Sequence, residues 1–158
     1  GDLSVMLNSV IAAQHPHRFI YRGCDVNTSG NPLAHTILRG GVDKYGKNIP
    51  NYHYEDLMRL QEMYEKQKLC NPAVIIDTNH SNSGKQFKEQ PRIVSEVLHS
   101  RKYNEKLRQL VKGVMVESYL VEGRQDIGEN HVYGKSITDP CLGWEETEKM
   151  LYMIAEKV

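Results

Sequence analysis

The sequence predicts a single α/β domain of four parallel strands with flanking helices, and three observations predict it. The runs Ala73-Val74-Ile75-Ile76-Asp77 and Gly113-Val114-Met115-Val116-Glu117 are too uniformly apolar to face water on one side, as in a parallel sheet covered on both faces. Segments with a helical apolar period alternate with such runs. At 158 residues the chain is long enough for one domain with a core and too short for two ordinary ones.

The elements follow in order. Leu3, Met6, Leu7, Val10 and Ile11 form an i, i+3, i+4, i+7, i+8 stripe, an amphipathic helix led by Gly1-Asp2 with no strand before it. The chain is therefore expected to enter its fold within a βα unit. Arg18-Phe19-Ile20-Tyr21 reads as the first strand, and the turn-rich stretch from Arg22 to Pro32 as loop. His35-Thr36-Ile37-Leu38-Arg39 is the second strand, stopped by Gly40-Gly41. After a loop through Asn51, Tyr54, Leu57, Met58, Met63 and Tyr64 mark a second helix, ended by Asn71-Pro72. Ala73 to Asp77 is the third strand. Pro91 suits the first turn of a third helix, with Ile93, Val94, Val97 and Leu98 inward. Gly113 to Glu117 is the fourth strand. A final helix starts near Trp144, with Leu151, Ile154, Ala155 and Val158 on one side. Phe19, Ile37, Val74, Ile76 and Val114 are assigned to an inner sheet face.

Composition narrows the function classes. Twenty Lys+Arg balance twenty Asp+Glu, so bulk charge gives no reason to expect nucleic acid or an anionic membrane as partner. No apolar run approaches the roughly 18–20 residues of a membrane span. Asp2, Asn8 and Gln14 interrupt any signal-like stretch at the front. Cys24, Cys70 and Cys141 are odd in number and share no CxxC spacing, which fits a reducing compartment, most simply the cytoplasm.

In parallel α/β folds ligands sit at the carboxyl ends of the strands. The second strand ends in Arg39-Gly40-Gly41, the third in Asp77-Thr78-Asn79-His80, the fourth in Glu117-Ser118, and a later loop holds Ser136-Ile137-Thr138-Asp139. His80, Glu117 and Asp139 are expected at one end of the sheet, a donor set suited to Mn, Fe or Zn. The plainer alternative stands beside it: strand-terminal carboxylates cap helices or pair with cations, and one His of seven is ordinarily solvated. Arg39 offers a planar fork to a phosphate or to a neighbouring carboxylate. Ser81-Asn82-Ser83-Gly84-Lys85 reads as a phosphate nest or as a helix-capping turn. Cys141 reads as a buried thiol, with no His placed locally to activate it.

Five strings then carry a resemblance, in this order: Asn27-Thr28-Ser29-Gly30-Asn31, His35-Thr36-Ile37-Leu38-Arg39-Gly40-Gly41, Ile76 to Phe87, Gly113 to Ser118, and Tyr133 to Cys141. Over nearly its whole length the chain resembles the carboxyl-terminal half of the class I 3-deoxy-D-arabino-heptulosonate 7-phosphate (DAHP) synthases, or phospho-2-dehydro-3-deoxyheptonate aldolases. The resemblance implies half of a (β/α)8 TIM barrel, with strands like the fifth to eighth. It implies condensation of phosphoenolpyruvate with erythrose 4-phosphate, the aldol-type transferase step that opens the shikimate pathway to aromatic amino acids. It also implies a divalent metal of the Mn, Fe, Co or Zn class, held by His80, Glu117 and Asp139, and a fourth family ligand, a Cys, before residue 1. By the same resemblance Arg39 and His80 are the catalytic residues, Arg39 holds the phosphate of phosphoenolpyruvate, and Asp139 also meets the sugar. The loop from Tyr21 to Asn27 is shorter than in feedback-inhibited members. A synthase of the arabinose 5-phosphate branch is the same-class rival, and a non-catalytic assembly or ligand-binding fragment the rival of another class. Half a barrel leaves open edges, so a homodimer or higher oligomer is expected.

Overall fold

The computed structural model describes residues 2–128 and 130–158, so Gly1, placed at the head of the first helix, lies outside the described residues. In chain order the elements are α1 (Leu3–Gln14), β1 (Arg18–Tyr21), β2 (Cys24–Asn27), β3 (Thr36–Leu38), β4 (Gly41–Val42), β5 (Asn48–Ile49), α2 (Tyr54–Gln67), β6 (Val74–Asp77), α3 (Gln90–Tyr103), α4 (Glu105–Leu110), β7 (Val111–Met115), β8 (Val121–Arg124), β9 (Lys135–Ser136) and α5 (Trp144–Lys157). A single 3-10 turn, Phe87–Glu89, leads into α3.

The central sheet is parallel and three-stranded, in the order β3-β6-β7. Thr36 pairs with Val74 and Leu38 with Ile76, and across the other edge Ile76 pairs with Val114 and Asp77 with Met115. Because side chains alternate along a strand, Thr36, Leu38, Val74, Ile76 and Val111 fall on one face, and all are buried. That face meets Leu7 of α1, Leu57, Leu60 and Tyr64 of α2, Ile93 and Val97 of α3, and Leu107 and Leu110 of α4. A second cluster, Val94, Leu98, Leu142 and Met150, fastens α5 to α3.

Four expectations change. The run Arg18–Tyr21 is not a strand of the parallel sheet; it pairs antiparallel with Cys24–Asn27. Arg22 and Gly23 sit at φ 50° and 77°, and two successive left-handed residues make the two-residue turn whose twist suits a hairpin. Its apolar side chains lie outside the core, with Ile20 79% exposed. Next, the sheet is covered on one face only by the described residues. Val74, Ile76 and Val114, assigned to the inner face, turn toward the helices, while Ile37 and Met115 on the opposite face are 45% and 40% exposed. Helix α2 stops at Gln67, where Lys68 turns left-handed (φ 52°) and donates its N–H to Tyr64 and Glu65, before Asn71-Pro72 is reached. In α5 the buried arc runs through Thr147 and Met150, whereas Leu151 and Val158 are exposed. Helix α4 is an addition, started by Asn104, whose Oδ1 accepts the N–H groups of Lys106 and Leu107 at 2.9 and 3.4 Å. Among the described residues no helix is long and apolar enough to cross a membrane.

Candidate metal centre

The site is assembled at the carboxyl ends of the parallel strands by loops tied to one another. Asn82, buried just past β6, donates from Nδ2 to the carbonyls of Leu38 (3.1 Å) and Asp77 (2.7 Å). Its Oδ1 accepts the Asn51 N–H at 2.9 Å, and Asn51 Oδ1 accepts the Gly40 N–H at 2.8 Å. Gly40 has φ 73°, and a Cβ there would lie 2.8 Å from Ser81 Cβ and 2.9 Å from the Ile49 carbonyl. Only glycine meets both demands. The loops after β3 and β6 are thereby locked together.

Beyond Asp77 the chain doubles back, and His80 takes a left-handed conformation at φ 46°. This turns its ring onto the strand end, where Nδ1 lies 2.7 Å from Oδ2 of Asp77. The Asp77 side chain is almost wholly buried, and its Oδ1 accepts the Asn79 N–H at 2.8 Å. A carboxylate only accepts, so Nδ1 carries a proton, and in the neutral ring it is the Nε2 lone pair that faces the site. Nε2 is 3.6 Å from Asp139 Oδ2 and 3.9 Å from Glu117 Oε1. One donor atom from each of His80, Glu117 and Asp139 lies within 4.8 Å of the other two. Two carboxylate oxygens and one imidazole nitrogen form a borderline-to-hard set. An imidazole whose far nitrogen is anchored by a buried carboxylate is the arrangement that metal-binding histidines use. The residues present fit a divalent cation.

Glu117 lies just past β7, and Asp139 on the loop after β9, where Leu142 N–H bonds to the Glu117 carbonyl at 3.0 Å and Gly123 and Cys141 exchange backbone bonds of 2.9 and 3.2 Å. Cys141 is buried, its Sγ 3.3 Å from the Asp139 carbonyl. Burial pushes this thiol above its ordinary range; the Glu117 and Asp139 charges add to the shift and a hydrogen bond to Ser136 opposes it. Arg39 follows β3 at the same end of the sheet, exposed, outside the three-donor cluster and with no ion-pair partner among the described residues. The Ser81–Lys85 stretch is a hydrogen-bonded turn whose side chains cap neither Phe87–Glu89 nor α3: Ser83, Gly84 and Lys85 spend their N–H groups on the carbonyls of Asn79, Ser81 and His80 at 3.2, 3.3 and 2.7 Å, which leaves those three none for an anion. Sequence reading passes over Asp77 as the partner of His80; its signal is the Asp-x-x-His spacing at the end of an apolar strand.

Comparison with known proteins identifies the family. A profile described as the DAHP synthetase I family matches residues 2–152. The chain is 40% identical over 165 residues to phospho-2-dehydro-3-deoxyheptonate aldolase of Haemophilus influenzae, covering all of this chain and 43% of that protein. It is 42% identical over 166 residues to the Phe-sensitive enzyme of that name from Escherichia coli K12, again over its full length and 44% of the relative. A solved phospho-2-dehydro-3-deoxyheptonate aldolase from Francisella tularensis superposes on the whole chain with a TM-score of 0.85 at 35% identity, over 45% of its own length. The chain thus spans less than half the length of these relatives. With a family profile running across almost all of it and a relative's fold matched end to end, the chain belongs to the DAHP synthetase I family.

Proposed function

We propose that this chain is the carboxyl-terminal half-barrel of a cytoplasmic DAHP synthase, the transferase that joins phosphoenolpyruvate to D-erythrose 4-phosphate and releases phosphate as the first step of the shikimate pathway. The observation that carries this reading is the convergence of His80, Glu117 and Asp139 within 4.8 Å. They come from separate segments, each following a strand. In this reading β9, with Asp139 after it, takes the place of fourth barrel strand that Arg18–Tyr21 does not fill.

The proposed reaction forms one carbon–carbon bond, from the methylene carbon of phosphoenolpyruvate to the aldehyde carbon of the sugar phosphate. Water adds at the enol carbon and inorganic phosphate leaves. His80, Glu117 and Asp139 would hold a divalent ion of the Mn, Fe, Co or Zn class, which supplies Lewis-acid polarisation of the aldehyde oxygen when bound. Asp77 keeps the His80 ring turned with Nε2 inward. Arg39, which follows β3 at the same end of the sheet and has no ion-pair partner among the described residues, is assigned to offset the phosphate of phosphoenolpyruvate and to fix the face of its double bond. Asp139, the most exposed of the three donors, is placed to meet sugar hydroxyls as well. We further assign a second copy of the chain to the exposed sheet face, giving a homodimer or higher oligomer.

Calorimetric titration of the 158-residue chain with Mn2+ tests the reading. One site per chain is expected, with its heat lost in the His80→Ala, Glu117→Ala double variant. Heat unchanged by that double substitution would place the ion elsewhere and remove the basis of the proposal.

A further inference from the structure

A carboxylate carried on a loop is only as well placed as its backbone, and Glu117 lies where the ladder has run out. The last β6–β7 pair is Asp77 with Met115, and the Thr78 N–H bonds to the Met115 carbonyl at 2.9 Å. Two residues on, the Glu117 N–H and C=O have no strand neighbour on the β6 side. A single side chain reaches both, sharing the carbonyl with the Leu142 N–H, which bonds it at 3.0 Å. Gln90, the first residue of α3, accepts the Glu117 N–H on Oε1 at 2.8 Å and donates from Nε2 to the Glu117 carbonyl at 3.0 Å. The Thr78 hydroxyl lies 3.2 Å from the same Oε1 and 3.0 Å from the Met115 carbonyl, a bridge between the amide and the strand end. Gln90 is 0% exposed. A primary amide buried this deeply is costly unless both its donor and its acceptor are used. A carboxamide also offers the two side by side, as a peptide group does.

We propose that Gln90 is a positioning residue of the metal centre. Its amide stands in for a neighbouring strand, holds the Glu117 backbone at both polar atoms, and so fixes the Glu117 carboxylate opposite His80 Nε2. The inference rests on the metal-centre reading above and extends it by one shell. Gln90 acts only through Glu117, and a residue that orients a ligand in this way changes affinity about 10–100-fold when lost.

The test is titration of the 158-residue chain with Co2+, followed by its visible absorption band. Gln90→Met keeps the side chain's length and burial but offers neither hydrogen bond. Co2+ affinity is expected to fall about 10–100-fold in this variant with a shifted band, while the far-UV spectrum stays unchanged. Gln90→Glu retains the acceptor for the Glu117 N–H and loses the donor, and a smaller loss is expected. A readout without metal stands beside these: hydrogen exchange at the Glu117 amide, protected in the wild-type chain and about tenfold faster in Gln90→Met, the equivalent of one net hydrogen bond. Unchanged Co2+ affinity and band in folded Gln90→Met overturns the proposal. So does an unprotected Glu117 amide in the wild-type chain, a result that needs no variant to fold. If the wild-type chain binds no Co2+, or binds it equally after His80→Ala, the metal reading itself fails and takes this role with it. That failure is distinguishable because it shows before Gln90 is touched.

Discussion

At the scale of single residues, three cysteines in three environments give a direct check on the site's electrostatics. Cys24 and Cys70 are exposed, whereas Cys141 is buried beside the carboxylates of Glu117 and Asp139. Burial first, and then those two negative charges, oppose formation of its thiolate and raise its pKa. Since the thiolate is the reactive species, a group with a raised pKa stays in the unreactive thiol form to higher pH than a free cysteine. Mass-spectrometric mapping of iodoacetamide labelling near pH 7.5 is expected to modify Cys24 and Cys70 first. Cys141 should follow slowly, gaining rate only as the pH rises past the ordinary thiol range. Labelling of Cys141 as fast as the other two would mean that the wall of the site is open to solvent. The same wall carries the Asp139 carbonyl against the Cys141 sulfur, so slow labelling also reports that the Asp139 loop is in place.

At the scale of elements, α5 shows how a helix is fixed by its phase. It begins at Trp144, and its buried positions Thr147 and Met150 are three apart, with Met153 and Ile154 partly buried against the same cluster. Thr147 also helps to seat the helix, its hydroxyl 2.6 Å from that of Ser118, the residue after Glu117. Met150 is 3% exposed and Leu151, next in sequence, 51%. Emptying a buried methionine site costs about 2–5 kcal/mol, and trimming an exposed leucine falls within about 0.5 kcal/mol. Urea unfolding of Met150→Ala and Leu151→Ala should therefore give a large loss of midpoint in the first and almost none in the second. The reverse order would rotate the helix by about 100° and detach α5 from Val94 and Leu98.

At the scale of the whole molecule, one face of the three-stranded sheet carries the core and the other carries Ile37 and Met115 in the open. β3 and β7 are the edges of that sheet, and open edges beside apolar faces are relieved by another chain. Light scattering after size exclusion is expected to find a homodimer or larger species at micromolar concentration, dispersed by Ile37→Lys. A stable monomer in the unsubstituted chain would mean that the face tolerates water. The same geometry bears on activity. The groups of an active site act as a unit, and partial sites lose far more than in proportion; under the function proposed above, a fourth metal ligand and most phosphate-binding cations belong to a part of the enzyme beyond these 158 residues. Product formation from phosphoenolpyruvate and erythrose 4-phosphate by this chain alone, with Mn2+ present, is expected to stay below about 1 per second, under the ordinary enzyme range.

The sequence by itself determined the α/β class, the strand cores Thr36–Leu38, Val74–Asp77 and Gly113–Met115 (the last strand begins two residues earlier and ends two sooner than its apolar run Gly113–Glu117 suggests), the inward row of α3, and the gathering of His80, Glu117 and Asp139 at one end of the sheet. Each of these follows from local apolar periodicity and from the rule that parallel strands deliver their loops to a common end. Only the tertiary structure decided that Arg18–Tyr21 belongs to a hairpin. A four-residue apolar run has no period of its own, and its partner Cys24–Asn27 hides inside a stretch whose glycine and polar residues read as loop. The phase of α5 was decided in the same way, because Leu151 and Val158 fit an apolar stripe with Ile154 as well as Met150 does until α3 is seen opposite. Which sheet face the helices cover was settled by packing: an all-apolar strand such as Val74–Ile76 offers water neither side, and alternation is silent there. The supports of the centre were beyond the sequence for a plainer reason. Gln90 meets Glu117 across 27 residues and Asn82 meets Leu38 across 44, and a buried amide declares its partner only when the chain has brought the two together.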